Sequence, residues 1–80
     1  SMVDAGIYHG DILIVDRSLE PEDGRVVIAV VNGEMTVKRL CRRGGALYLI
    51  PESAQYSPLE IAEGMDFQVW GVVSHVIHKV

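Results

Sequence analysis

Short apolar runs separated by turn signals are the feature that most constrains what this chain can fold into. β-Branched residues recur within the runs, and no segment keeps a sustained helical period. This pattern predicts a small, mostly β domain with a curled or barrel-like sheet. The predicted strands occupy residues 11–16, 25–31, 34–42, 46–50, 59–62 and 67–80.

The turn between the second and third predicted strands carries the strongest local signal. Asn32-Gly33 lies between two β-rich runs and favours a two-residue hairpin, because both residue types tolerate a positive φ. Residues 21–24 and Gly44-Gly45 mark two further turns. Gly71 interrupts the last run, and a glycine inside a strand indicates a bulge or a bend.

Length and charge exclude several classes of function. The 80 residues make one domain, predicted to span residues 1–80, and an apolar content of 49% is ample for its core. The net charge of −4 argues against a DNA-binding surface, which normally carries a basic patch. The cations cluster only at Lys38-Arg39 and Arg42-Arg43, which form either a solvated strand end or a phosphate site, and we expect the former.

Cysteine and histidine usage gives no sign of a disulfide, a metal or a cofactor. Cys41 is the single cysteine, so no intramolecular disulfide can form, and we expect a small core or boundary residue. His75 and His78 are three residues apart in a predicted strand and therefore face opposite sides. The free thiol, with no signal peptide and no apolar run near the roughly 20 residues of a membrane span, predicts a cytoplasmic protein.

Lys38 is an anomaly within the third predicted strand. Strict alternation places it on the same face as Thr36 and Leu40. An amine on an apolar face loses hydration, which lowers its pKa and lets the neutral form act as a base. The alternative is a lysine that extends from a strand edge into solvent.

Ser1 is the second candidate for chemistry. A serine hydroxyl becomes a useful nucleophile only when a neighbouring base takes its proton, and a neutral lysine can be that base. The alternative is that the Ser-Met pair at the start is a remnant of tag removal. Spacing alone does not show that Ser1 and Lys38 meet.

A resemblance to a known family connects these two residues. Residues 1–7 and 9–18 are similar to the active-site segment of the LexA/UmuD family of self-cleaving serine peptidases, and residues 34–40 resemble its lysine segment. The resemblance implies that Ser1 is the nucleophile and Lys38 its general base, with backbone N–H groups near Ser1 and Met2 as oxyanion donors. It also implies a compact antiparallel β fold that forms a homodimer. Three further segments match in order, at residues 49–53, 56–58 and 69–73.

Within that family the details resemble UmuD and its plasmid relatives more than LexA. The resemblance then implies an SOS-response protein whose cleavage is promoted by a RecA filament. Its processed dimer would join an error-prone Y-family polymerase subunit in translesion DNA synthesis. The alternative is the dimerisation and self-cleavage domain of a LexA-like or phage repressor. The segments that favour UmuD are residues 4–7, 15–18, 54–58 and 70–76.

The sequence departs from the family pattern at its front, where it begins at the serine. Family members carry the scissile Ala-Gly or Cys-Gly bond ahead of that position, so we expect that these 80 residues alone do not cleave themselves. Three acids lie near the serine in sequence, and the second and third of them are expected to bracket a strand; the aromatic pair is expected to lie in the core or a dimer interface. These residues are Asp4, Asp11, Asp16, Phe67 and Trp70.

Overall fold

A single antiparallel sheet of six strands organises residues 2–80, the part of the chain that the computed structural model describes. The sheet order is β1-β6-β2-β3-β4-β5. The mostly β prediction is confirmed, and the sheet is open because β1 and β5 form its two edges. The strands are β1 (Ile12–Asp16), β2 (Val26–Val31), β3 (Glu34–Arg43), β4 (Ala46–Ile50), β5 (Leu59–Ile61) and β6 (Phe67–Ile77).

The chain forms a meander from β2 to β5, after which β6 returns and inserts between β1 and β2. The radius of gyration is 12.4 Å, close to the roughly 12 Å that a folded domain of this length adopts. A short 3-10 helix, η1 (Val3–Ala5), precedes the sheet and was not predicted from the sequence. No helix among residues 2–80 is long and apolar enough to cross a membrane.

The predicted hairpin between β2 and β3 is confirmed. Asn32 and Gly33 have φ values of 49° and 84°, and two successive positive φ angles are what a tight β-hairpin turn requires. The Asn32 N–H donates to the Asp66 carbonyl at 2.8 Å, and the Asp66 N–H donates to Asn32 Oδ1 at 3.1 Å. These bonds fix the hairpin against the segment that leads into β6.

The hydrophobic core lies on one face of the sheet. Val27 in β2 is fully buried and lies directly opposite Lys38 of β3. Because residues opposite each other in an antiparallel pair point to the same face, Lys38 points to the core side of the sheet. The buried members of the core are Val27, Ala29, Leu40, Leu49 and Val72.

Gly71 permits β6 to cross close to β1. The pairing of β2 with β6 shifts register between Ile28 and Ala29, next to Gly71, so the predicted bulge is confirmed. A Cβ atom on Gly71 would lie 2.5 Å from Cγ1 of Val15. Since a valine side chain has little rotational freedom, it cannot easily move aside.

Gly71→Ala is therefore expected to lower the free energy of unfolding by about 1–3 kcal/mol, as overpacking typically does. Urea unfolding of the wild-type and Gly71→Ala chains measures the loss. Val15→Ala removes the opposing methyl group, so the double variant should lose less than the sum of the two single variants. An equal loss for Gly71→Ala in both backgrounds would show that the Val15 contact is not the cause.

Candidate active site

The Lys38 side chain is half-buried on the core side of β3. Its Nζ donates to Oγ1 of Thr36 at 2.5 Å and to the backbone carbonyl of Val37 at 3.2 Å. Thr36 and Lys38 share a face because they are two residues apart in a strand. The alternation predicted from the sequence is confirmed, whereas the bond between hydroxyl and amine is a finding of the structure.

Partial burial lowers the pKa of Lys38 below the ordinary lysine value of 10.5. Loss of hydration disfavours the ammonium form more than the neutral amine. The fraction of neutral amine at a given pH is therefore larger than for an exposed lysine. This is the electrostatic property that a lysine base needs.

The depressed pKa also predicts a pH-dependent stability. Between the folded-state pKa and the unfolded value of 10.5, the unfolded chain binds more protons, so the free energy of unfolding rises with pH there. Below the folded-state pKa both states carry the charge, so Lys38 no longer makes the free energy of unfolding depend on pH. In urea unfolding across alkaline pH, Lys38→Met should flatten this rise; an unchanged slope would contradict the assignment.

Lys38 lies beside an open cleft of about 510 Å³. Its lining residues come from the end of β2, from β3, β4 and β5, and from the segments around Pro51, Ser57 and Met65. Apolar and polar residues both line the cleft, and Glu34 and Lys38 are the charged ones. The lining residues are Val31, Asn32, Glu34, Met35, Thr36, Lys38, Leu49, Pro51, Ser57, Leu59 and Met65.

A backbone hydrogen bond holds the segment after Ser1 against the residues that follow β4. Met2 is buried, at 4% exposure, and its carbonyl accepts from the Ala5 and Ile7 N–H groups. The Asp4 N–H donates to the Glu52 carbonyl at 2.8 Å. Glu52 directly follows Pro51, which lines the cleft with Lys38.

A salt bridge reinforces this connection from the opposite face of β3. Arg39 donates through Nε to the Glu52 carboxylate and through Nη1 to the Gly24 carbonyl at 2.7 Å. Arg39 follows Lys38 in sequence but points the other way, as the alternation predicts. Glu52 thus joins the N-terminal segment to the strand that carries the candidate base.

Ser1, the predicted nucleophile, lies outside the described residues, so its pairing with Lys38 stays a prediction. Several backbone N–H groups in the segment after Met2 already have acceptors. The Asp4 N–H donates to the Glu52 carbonyl, and the Gly6 N–H donates to the Val3 carbonyl. The Ala5 and Ile7 N–H groups donate to the Met2 carbonyl. The predicted oxyanion donors are backbone N–H groups nearer to Ser1 and Met2, and they stay a prediction.

Asp11 and Asp16 bracket β1, as the sequence predicts. Asp11 precedes β1, and its Oδ2 accepts from the Tyr8 N–H at 2.8 Å. Asp16 ends β1, and its Oδ1 accepts from the N–H and hydroxyl of Ser18. These bonds stabilise the carboxylate and lower the pKa of Asp16.

The two aromatic residues predicted for the core or a dimer interface differ in their burial. Phe67 packs against the core, whereas Trp70 is 38% exposed and carries the Arg17 guanidinium 4.5 Å from its ring centroid. Trp70 is thus not a core residue. Cys41 is a half-buried free thiol, consistent with a boundary position. Within residues 2–80, no three His, Cys, Asp or Glu side chains converge as a metal site.

The family model described as Peptidase S24-like matches residues 1–74. The chain belongs to the Peptidase S24-like family. The S24-like match includes both Ser1 and Lys38 and extends through most of β6.

Curated relatives of this S24-like chain carry the name LexA repressor. The chain is 43% identical to the LexA repressor of Bordetella parapertussis over 77 residues, which are 96% of this chain and 36% of that protein. It is 39% identical to LexA repressor 1 of Xanthomonas campestris pv. campestris over 79 residues, which are 99% of this chain and 39% of that protein. The chain thus spans less than two fifths of the length of these relatives.

These names favour the repressor alternative over the UmuD-like interpretation. The family predicted from the sequence is confirmed, but the preference for UmuD within it is unconfirmed, because the similar proteins are LexA repressors. Translesion synthesis and the polymerase subunit gain no support from them.

Proposed function

We propose that this chain is the self-cleaving peptidase domain of a LexA-like repressor, with Ser1 as nucleophile and Lys38 as general base. The observation that carries the proposal is a half-buried amine of lowered pKa that lines an open cleft. Membership of the S24-like family and similarity to LexA repressors add support. The bond from Asp4 to Glu52 further supports it, because it anchors the segment after Ser1 beside the cleft wall.

In the proposed mechanism Lys38 carries one proton from the nucleophile to the leaving group. Neutral Lys38 takes the Ser1 hydroxyl proton while the oxygen attacks the scissile carbonyl. As the carbon–nitrogen bond breaks, the Lys38 ammonium returns that proton to the leaving amine, and an acyl-enzyme remains. Water, deprotonated by the same amine, then hydrolyses the ester.

The cleft beside Lys38 fits an extended peptide segment. Its wall on β3 presents Lys38, Thr36 and Glu34 on one face, and alternate side chains of an extended segment would meet them at the strand repeat. A bound segment would displace water from the cleft, which strengthens electrostatic interactions at the scissile bond. We infer that the natural occupant is the Ala-Gly segment that the family carries ahead of its serine.

A longer chain with an Ala-Gly segment ahead of Ser1 tests the assignment. Incubated at alkaline pH, it should cleave at the Ala-Gly bond with first-order kinetics that do not depend on protein concentration. Ser1→Ala should leave the chain intact, since no other hydroxyl is proposed to attack. Cleavage of the Ser1→Ala chain at the same bond would remove Ser1 as nucleophile.

Thr36 is proposed as a positioning residue for the base. Thr36→Val keeps the shape of the side chain but removes the acceptor, so cleavage of the longer chain should slow by about tenfold, the value of one lost hydrogen bond. Thr36→Ser should restore most of the rate. Urea unfolding of Thr36→Val checks that stability is retained, and a slow Thr36→Ser chain would contradict the role of the hydroxyl.

We infer that the domain acts as a homodimer within the cytoplasmic SOS response, where a RecA filament promotes cleavage. Support for the dimer comes from the edge strand β1, on which Ile12 and Ile14 are exposed, and from Ile77 opposite Ile12. Sedimentation of wild type and Ile12→Glu at several concentrations tests this surface; a wild type that stays monomeric contradicts it. Retention of a Y-family polymerase subunit by the chain would instead favour the UmuD-like alternative.

A further inference from the structure

An ion pair on the face of β3 opposite Lys38 is the first of two contacts that lead to the start of the chain. Arg39 donates through Nε to the Glu52 carboxylate, and the Glu52 carbonyl accepts from the Asp4 N–H at 2.8 Å. Asp4 is three residues after Ser1, so the backbone between them spans at most about 11 Å. Two contacts in series therefore connect the strand of the candidate base to the residues beside the predicted nucleophile.

Arg39 is held by a second contact besides the carboxylate. Its Nη1 donates to the Gly24 carbonyl at 2.7 Å, and the Gly24 N–H donates to the Leu40 carbonyl at 2.8 Å. A guanidinium with a planar fork that is already fixed loses less freedom when it binds a carboxylate. The Arg39 and Glu52 side chains are 35% and 29% exposed, so water and salt screen them less than a pair on an open surface. The pair is thus suited to fix Glu52 in place.

Glu52 needs such a contact because the strand ladder does not reach it. The pairing of β3 with β4 extends to Arg39 opposite Ile50, and Glu52 lies in a bend two residues beyond the end of β4 at Ile50. The ion pair continues the connection between the two strands past the last ladder position. A shift of Glu52 would move the carbonyl that accepts from Asp4.

We propose that Arg39 and Glu52 are positioning residues for the Ser1 hydroxyl. Neither is proposed to touch the reacting atoms, because Arg39 points away from Lys38 across β3 and Glu52 acts through its backbone carbonyl. Loss of the pair leaves the base in place but loosens the segment after Ser1, so a smaller fraction of chains has the reactive geometry. This role rests on the proposed function, whereas the anchoring of the segment does not.

Hydrogen exchange of the Asp4 N–H in the 80-residue chain tests the anchor itself. Arg39→Met and Glu52→Ala remove the ion pair, and the Asp4 N–H should exchange at least about threefold faster in both, because local opening becomes more frequent. Arg17→Met is the matched control: Arg17 also donates through Nε to a carbonyl, that of Trp70 at 2.8 Å, but it follows β1 at the far edge of the sheet. An unchanged Asp4 rate in the first two variants, or an equal rise in all three, would overturn the proposal.

Cleavage of the longer chain with the Ala-Gly segment tests the role in the reaction. At the pH where the rate levels off, Arg39→Met and Glu52→Ala should each cleave about tenfold more slowly, the value of one lost hydrogen bond. The double variant should be no slower than the slower single variant, because the two side chains act as one unit. Arg17→Met should cleave at the wild-type rate. Each rate is divided by the folded fraction from urea unfolding, so a loss of stability alone does not count.

The pH dependence separates positioning from an effect on the base. The pH of half-maximal cleavage should stay the same in Arg39→Met and Glu52→Ala, since the Lys38 amine lies on the other face of β3. A shift of that pH, or wild-type rates in both variants, would overturn the positioning role. A wild-type longer chain that does not cleave speaks against the proposed function, and hydrogen exchange then decides whether the ion pair anchors Asp4.

Discussion

Lys38→Ala is expected to slow self-cleavage of the longer Ala-Gly chain by about 10²–10⁴-fold, the usual contribution of a general base. The half-buried amine of Lys38 is the group of lowered pKa at the cleft. In the proposed mechanism no other group takes the proton from the Ser1 hydroxyl. Gel or mass-spectrometric quantification of the two cleavage products over time measures the loss.

Two variants separate base catalysis from simple charge. Lys38→Arg keeps a cation on β3, but a guanidinium does not lose its proton in proteins, so this chain should be as inactive as Lys38→Ala. Lys79→Ala removes the other lysine of the sequence, which lies beyond the end of β6 at Ile77, and should cleave at the wild-type rate. A Lys38→Arg chain as fast as wild type would exclude lysine as the base.

Leu49→Ala is expected to lower the free energy of unfolding by about 2–5 kcal/mol. Leu49 is 1% exposed, belongs to the core and also lines the cleft. The loss combines the transfer free energy of the deleted methyl groups with the cost of the cavity that they leave. Since small domains have a total stability of about 5–15 kcal/mol, this loss is a large fraction of it.

Leu59→Ala is the matched control for this variant. Leu59 lies directly opposite Leu49 in the pairing of β4 with β5, but it is 44% exposed. The same chemical change should therefore cost about 1 kcal/mol or less. Urea unfolding of both variants gives the comparison, and equal losses would mean that burial in the core does not set the difference.

Much of the strand pattern was predictable because local signals and tertiary structure agree. Asn32-Gly33 favours its hairpin through local backbone preference, and the structure has positive φ at both positions. Gly71 lies next to the bulge that a glycine inside a strand indicates. The side of the sheet taken by Lys38 follows from the two-residue alternation of a strand.

The remaining features depend on contacts between distant parts of the chain. The insertion of β6 between β1 and β2 has no local signal, because strand periodicity does not specify partners. Alternation predicts that Thr36 shares a face with Lys38, but the bond between hydroxyl and amine depends on the three-dimensional structure. The anchoring of Asp4 on Glu52 joins residues 48 positions apart, and no pattern in the sequence pointed to it.

The pKa of the Lys38 amine, measured by nuclear magnetic resonance of isotopically labelled lysine side chains, tests the central claim most directly. Lys79→Arg identifies the Lys38 signal, and the urea-unfolded chain gives the reference value. A folded-state pKa of Lys38 below that reference is the predicted result, because partial burial favours the neutral amine. A folded-state value equal to or above the reference would contradict the account of Lys38 as a general base.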